Sequence, residues 1–387
     1  MVKYIHACIA ILFFTLIVHP AMAVTLPEAP KLKSKSWVLM DARSGQVLSE
    51  HNPDEELAPA SLTKMMTLYL LFGDIKLGKL SLEEEVSVSK KAWKIGGSRM
   101  FIEPRLKPTV EELLHGISTL SGNDACIALA EHVDGSEEGF AGRMNAKAKE
   151  LGMSHSHFVN ATGYPSSNHY SSAKDMALLG VALWRDFPKM YKLFSEREFT
   201  YNGITQSNRN RLLWSDPRVD GIKTGHTKDA GYCLVSSAEE DETRFVTAIF
   251  GSSSEREREK QSRQLLNYGF RNFVSLSPAE RDIRRQVEVF RGAENAVWLV
   301  PEYPVQITVA KGLEARVSFR LHYDAPLLAP VHKDQMVGVI EAVLMEENKP
   351  GEVLGSIRMK AADEVEEASW LGRLWDELRL WWNKQDS

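Results

Sequence analysis

Three short clusters in this chain combine residue types that could carry out nucleophilic chemistry. Ser61-Leu-Thr-Lys64 sets a hydroxyl and an amine one helical turn apart, on one face of a helix. A serine hydroxyl is a poor nucleophile at neutral pH unless a base takes its proton. Lysine can be that base only where burial or a neighbouring cation lowers its pKa. Pro59 before the pair and the apolar run after it put Ser61 at a helix N-terminus, where a serine also serves simply as a cap. Ser121-Gly-Asn123 adds a hydroxyl that could relay a proton and a carboxamide that could hold a substrate amide; standing alone it would be an ordinary turn. Lys223-Thr-Gly225 lies just before an apolar strand. There Lys223 would bring positive charge, Thr224 a hydroxyl for an anionic group, and Gly225 close approach of a substrate backbone.

The elements needed to hold these clusters are legible around them. Trp37 to Asp41 and Gln46 to Ser49 read as a hairpin, with Gly45 free to take a positive φ. Helical composition begins after Pro59 and runs through Phe72. Thr109 with Glu112 forms a capping-box pattern that predicts a helix to Leu120. Further helices are expected at Asp124 to His132, Glu138 to Leu151 and Val181 to Phe187. Strands at Gly231 to Ser237 and Phe245 to Phe250 flank an acidic turn, and Ser254 to Phe270 reads as a closing amphipathic helix.

The character then changes. Pro278 to Arg284 reads as a linker, and Arg284 to Met359 alternates apolar and polar residues between Pro and Gly breaks, the pattern of a small all-β domain. In the tail, Leu371, Leu374, Trp375, Leu378, Trp381 and Trp382 recur at helical spacing. Such a helix packs on its own β domain or lies in a membrane interface, and the tryptophans favour the interface. At the other end, Lys3, the apolar run Ile9 to Val18 and Ala21-Met-Ala23 have the layout of a secretory signal cleaved after Ala23.

Composition narrows the function. With 387 residues, 43% hydrophobic and 26% charged, the chain is an ordinary globular one of more than one domain. A net charge of -5 and the lack of basic clusters argue against a nucleic-acid partner. Cys126 and Cys233, the cysteines left after the signal, read as buried free thiols rather than a disulfide framework. No Cys/His cluster has metal-ligand spacing, so neither a metal nor another cofactor is expected.

Each cluster is weak alone, but the ordered triple is the serine acyl-transfer set of penicillin-binding proteins and class A β-lactamases. The chain resembles the low-molecular-mass penicillin-binding proteins of the D-alanyl-D-alanine carboxypeptidase family, peptidase family S11. The matching stretches are Pro59 to Met66, Ser121 to Ala125, Phe158 to Gly163, Ser171 to Ala177 and Asp220 to Thr227. The resemblance implies a serine β-lactamase/DD-peptidase-like α/β catalytic domain, with a helical subdomain beside a five-stranded antiparallel sheet. An all-β C-terminal domain and a terminal amphipathic helix would follow. The divisions expected are 1–23 signal peptide, 24–276 catalytic domain, 277–360 β domain and 361–387 membrane-association helix.

It further implies Ser61 as nucleophile and Lys64 as acylation base, with Lys223 helping to lower the Lys64 pKa and Ser121 in the proton network. Thr224 and Arg258 would hold the terminal carboxylate of the substrate, and the backbone N–H groups of Ser61 and His226 would form the oxyanion hole. The expected partners are peptidoglycan stem peptides, β-lactams as inhibitors, and the outer face of the inner membrane. Two departures stand out: Tyr164 where many relatives have leucine, and Cys233 where others often carry asparagine. Other readings share the scaffold: an endopeptidase, a β-lactamase, or a non-enzymatic β-lactam sensor. The β-lactamase is disfavoured because Phe158 to Asp175 holds no glutamate to activate water.

Overall fold

The structure is a computed structural model that describes residues 28–346 and 349–383; the signal-like segment lies outside the described residues. Strands β1 (Ser36–Asp41) and β2 (Val47–His51) form the expected hairpin, with Gly45 at φ +73° in its turn. A 3₁₀ turn, Ala60–Thr63, leads into α1 (Lys64–Lys76). Then come α2 (Lys90–Lys94), α3 (Val110–Ser118), α4 (Asn123–Asp134), α5 (Glu137–Glu150) and α6 (Ala173–Asp186). The hairpin β3 (Glu198–Tyr201) and β4 (Ile204–Ser207) and the short α7 (Leu212–Ser215) precede β5 (Val219–Thr227), β6 (Gly231–Glu240), β7 (Thr243–Ser252) and α8 (Glu255–Asn272). The capping box at Thr109 is present, both of its hydrogen bonds made.

The first sheet has the order β2-β1-β7-β6-β5 and every pair is antiparallel. Because side chains alternate across a strand, each face feeds a different core. Val38, Met40, Val235 and Val246 pack with the helices of the α1 side. Leu39, Leu234, Phe245 and Ile249 pack with Leu265, Leu266 and Phe270 of α8. Helix α1 is buried through Met65 to Phe72, as a helix that is apolar on every side must be. Its first turn therefore projects from the middle of the molecule, and edge strand β5 runs beside it.

A second unit follows β8 (Phe273–Leu276) and α9 (Glu280–Ile283): strands β9 (Arg285–Phe290), β10 (Ala296–Pro301), β11 (Ile307–Ala310), β12 (Val317–Tyr323), β13 (Leu327–Leu328), β14 (Met336–Glu346) and β15 (Lys349–Ala361). Six of them form a sheet of order β12-β14-β15-β10-β9-β13 over a core of its own. The expected linker holds α9, whose Ile283 is buried in that core. The two units are also stitched together: β8 pairs antiparallel with β11, Ser44 Oγ meets Thr308 Oγ1 at 2.7 Å, and Lys311 Nζ donates to the Phe270 carbonyl at 2.7 Å.

Helix α10 (Trp370–Asn383) closes the described chain. It docks through its polar side: the Arg291 N–H donates to Asp376 at 2.5 Å, Arg379 pairs with Glu288 and Asp376, and Arg291 pairs with Glu377. The apolar side, Trp370, Leu371, Leu374, Trp375, Leu378, Trp381 and Trp382, stays exposed. Among the described residues no helix is long and apolar enough to cross a membrane.

Candidate active site

The sequence places Ser61 and Lys64 three residues apart, and the backbone between them is 3₁₀ rather than α. In a 3₁₀ turn residues i and i+3 eclipse, so the amine stands over the hydroxyl: Lys64 Nζ donates to Ser61 Oγ at 3.0 Å. Two other acceptors share it, Asn123 Oδ1 at 2.7 Å and the Thr162 carbonyl at 2.5 Å. Lys64 is fully buried, and burial pushes its pKa down to about 8. The charge of Arg209 lowers it further, and the repulsion between Lys64 and Lys223 acts on the same pair of amines. Lys223 is itself held well below the usual lysine range, by burial first and then by the charges of Lys64 and Arg209. Two buried amines thus share one site, each disfavouring the ammonium form.

The turn that presents Ser61 exists because glycines let neighbouring backbones approach it. Ala60 has φ +48°, and its carbonyl oxygen would lie 1.8 Å from a Cβ placed on Gly163, itself at φ +81°. Gly225 faces the same turn, where a Cβ would meet the Pro59 oxygen at 2.8 Å. The missing side chain of Gly225 makes room for the Ser61 turn, which packs directly against β5.

Ser121 and Asn123 flank Gly122, the N-cap of α4. Ser121 is buried at φ +62°, and its hydroxyl has no hydrogen-bond partner among the described residues. Strain and an unpaired buried hydroxyl together are costly, and they concentrate at functional sites. Asn123, expected to hold a substrate amide, is engaged at both ends of its carboxamide, by Lys64 and by the Gly96 carbonyl at 2.8 Å. It ties Lys64 to the loop that forms the opposite rim.

On β5, Lys223 and Gly225 share the face turned to Ser61, while Thr224 and His226 share the other. His226 is exposed and stacks on Tyr232 with ring centroids 4.1 Å apart. The Arg258 guanidinium lies 5.8 Å from that same Tyr232 ring. Arg258 sits in the first turns of α8 and is 1% exposed. Its nearest carboxylate, Glu255, is 3.8 Å away and solvent-exposed, and its Nε has no partner among the described residues. A buried guanidinium so incompletely paired is suited to a carboxylate arriving from outside.

Several site residues carry no motif. Arg209 donates to Ser98 Oγ at 2.5 Å and its carbonyl accepts from Arg258 at 3.2 Å, so it links both walls of the cleft. Asp124 accepts the backbone N–H groups of Met100, Phe101 and Ile102 and so shapes the rim loop. Asp124 adjoins Asn123, a hint that was available; Arg209, in a polar loop, offered none. Cys126 and Cys233 are buried and unpaired, with the Cys126 thiol pushed up to about 12 by burial. The arrangement can perform acyl transfer: a hydroxyl, a base that is partly neutral near pH 8, and a buried cation for an anionic end group.

Comparison with known proteins agrees with this geometry. The family profile of the D-alanyl-D-alanine carboxypeptidases matches residues 23–254, and that of the penicillin-binding protein 5 C-terminal domain matches residues 277–367. D-alanyl-D-alanine carboxypeptidase DacC of Escherichia coli (strain K12) is 40% identical over 363 residues, covering 91% of this chain and 89% of its own. The crystal structure of penicillin-binding protein 5 from Haemophilus influenzae superposes with a TM-score of 0.83 at 37% identity, covering 88% of this chain and 100% of its own. Penicillin-binding protein D2 from Listeria monocytogenes, in an ampicillin-bound form, superposes with a TM-score of 0.58 at 28% identity, over 63% of this chain and 100% of its own. The chain belongs to the D-alanyl-D-alanine carboxypeptidase family, peptidase family S11.

Proposed function

We propose that Ser61 is the nucleophile and Lys64 the base that releases the terminal D-alanine from peptidoglycan stem peptides. The observation that carries this is the 3.0 Å contact between Lys64 Nζ and Ser61 Oγ, made by an amine whose pKa burial brings to about 8. At pH 7 about a tenth of such an amine is neutral, against less than about one part in a thousand for an ordinary lysine.

The substrate's terminal carboxylate docks at Thr224 and Arg258, which selects a free C-terminus. Ser61 Oγ attacks the carbonyl between the two D-alanines and its proton passes to Lys64. The N–H groups of Ser61 and His226 receive the oxyanion, an effect typically worth about 3 kcal/mol per donor. As the C–N bond breaks, the proton reaches the leaving amine through Lys64 and Ser121. Water then cleaves the Ser61 ester and the shortened peptide departs. A β-lactam presents the same carbonyl beside a carboxylate and would leave an ester on Ser61. The ampicillin-bound form of the Listeria relative supports that reading.

The exposed apolar side of α10 rests in the interfacial layer of the inner membrane's outer face, and the signal-like start carries the chain there. Supporting this are its four tryptophans and the turning of its charges toward the β domain. Mass spectrometry of a D-Ala-D-Ala peptide after incubation tests the activity. Loss of one D-alanine with the wild type, and a fall of at least about a thousandfold with Ser61→Ala, are expected. Undiminished release by Ser61→Ala would overturn the assignment.

A further inference from the structure

The segment 158–164 lies against the base and has no helix or strand of its own, yet its backbone is held by side chains almost atom by atom. Asn145 receives the Phe158 N–H and donates to the Phe158 carbonyl, both at 2.8 Å. The Val159 N–H donates to His169 Nδ1 at 3.2 Å. Asn160 Oδ1 accepts the N–H groups of Thr162, Gly163 and Tyr164. Thr67 Oγ1 donates to the Ala161 carbonyl at 2.6 Å, and Lys64 Nζ to the Thr162 carbonyl at 2.5 Å.

One clamp comes from a carboxylate outside the three motifs. Glu137, the first residue of α5, keeps only 10% of its side chain exposed. Its Oε1 accepts the Ala161 N–H at 3.0 Å, and its Oε2 pairs with Lys91 Nζ at 2.9 Å. Each peptide unit is planar, so three consecutive planes are set in turn. Glu137 fixes the plane between residues 160 and 161. Thr67 and Asn160 fix the next, and Asn160 and Lys64 fix the plane that carries the Thr162 oxygen. Without Glu137 the Ala161 N–H loses its acceptor, and the Thr162 oxygen that holds Lys64 over Ser61 is then positioned only by the clamps on the two later planes.

We infer that Glu137 is a positioning residue for the acylation step, acting through Ala161 and Thr162 on the Lys64 amine. This rests on the reading of Lys64 as the base. Glutamine keeps an oxygen that can accept the Ala161 N–H, whereas alanine removes it; Lys91→Met breaks the ion pair alone. The full-length protein is treated with a fluorescent penicillin, and the acylation rate constant is measured beside kcat and KM for D-alanine release. With Glu137→Ala, acylation and kcat fall about tenfold or more while KM changes by less than about twofold. Glu137→Gln and Lys91→Met stay within about threefold of the wild type. Normal acylation in Glu137→Ala, or equal loss in Glu137→Gln, overturns the inference. Should Glu137→Ala not fold, the glutamine and Lys91→Met variants still decide, because loss of acylation in either contradicts a role carried by the Ala161 hydrogen bond. Wild-type protein that is labelled at Ser61 but releases no D-alanine would refute the carboxypeptidase reading and leave the acylation comparison to judge Glu137.

Discussion

The cleft and the tail break the usual sorting of side chains in opposite directions. In the cleft, Lys64, Lys223 and Arg258 are buried, at 0%, 4% and 1% exposure, and the carboxylate nearest Arg258, Glu255, is 3.8 Å away and exposed. In the tail, Trp370, Trp375, Trp381 and Trp382 are each more than half exposed, while Asp376 beside them is buried at 4%. Charged residues are almost never fully buried unless paired, and large exposed apolar patches mark contacts. The first inversion creates amines that are ready to lose a proton. The second creates a surface ready to leave water. The rest of the molecule, with three conventional cores, supplies the stability that both consume.

That contrast can be broken most severely at the turn beneath Ser61. Gly163→Ala sets a Cβ against the Ala60 oxygen at a positive φ, which should cost about 2 kcal/mol or more in stability. Penicillin acylation should drop about a hundredfold, read by labelling kinetics beside a thermal melt. A smaller effect is expected at Arg258, the cation proposed to receive the substrate carboxylate. Arg258→Leu should lower kcat/KM for a free D-Ala-D-Ala terminus by about ten- to a hundredfold, the scale of a charge-assisted hydrogen bond. Activity on the C-terminally amidated peptide should hardly change, and equal losses on both peptides would show that Arg258 serves the fold instead. The smallest catalytic effect belongs to the tail. Replacing Trp375, Trp381 and Trp382 by serine should reduce binding to phosphatidylglycerol-containing vesicles by about tenfold or more. D-alanine release in solution should stay within about twofold; a fall in solution activity would mean that the helix supports the fold.

What the sequence revealed depended on the range over which each feature is encoded. Ser61 and Lys64 are three residues apart, so their meeting is local and was legible. So was the capping box at Thr109, which needs only Glu112. Helix α6 was expected from Val181 but starts at Ala173 behind a Ser172 cap, because its first half mixes burial with charge at Lys174 and Asp175. The β3–β4 hairpin was missed although Asn202-Gly203, both at positive φ, is a standard hairpin turn; its strands are only four residues each and β4 is mostly exposed. The Lys64 environment was the least legible part. One of its three acceptors is a backbone oxygen, which any residue at position 162 would supply. Arg209 reaches the site from a loop remote in sequence. The junction of the two units was equally hidden, since β8 and β11 pair across more than thirty residues.

The rate at which penicillin esterifies Ser61, followed from about pH 5.5 to about pH 9.5, tests the catalytic claim most directly. A base must be neutral to accept a proton, so the rate should rise about tenfold per pH unit at the acid end and level off above about 8, the value to which burial lowers Lys64. A rate that is flat across this range, or an ester on a residue other than Ser61, would contradict a buried, partly neutral Lys64 as the base.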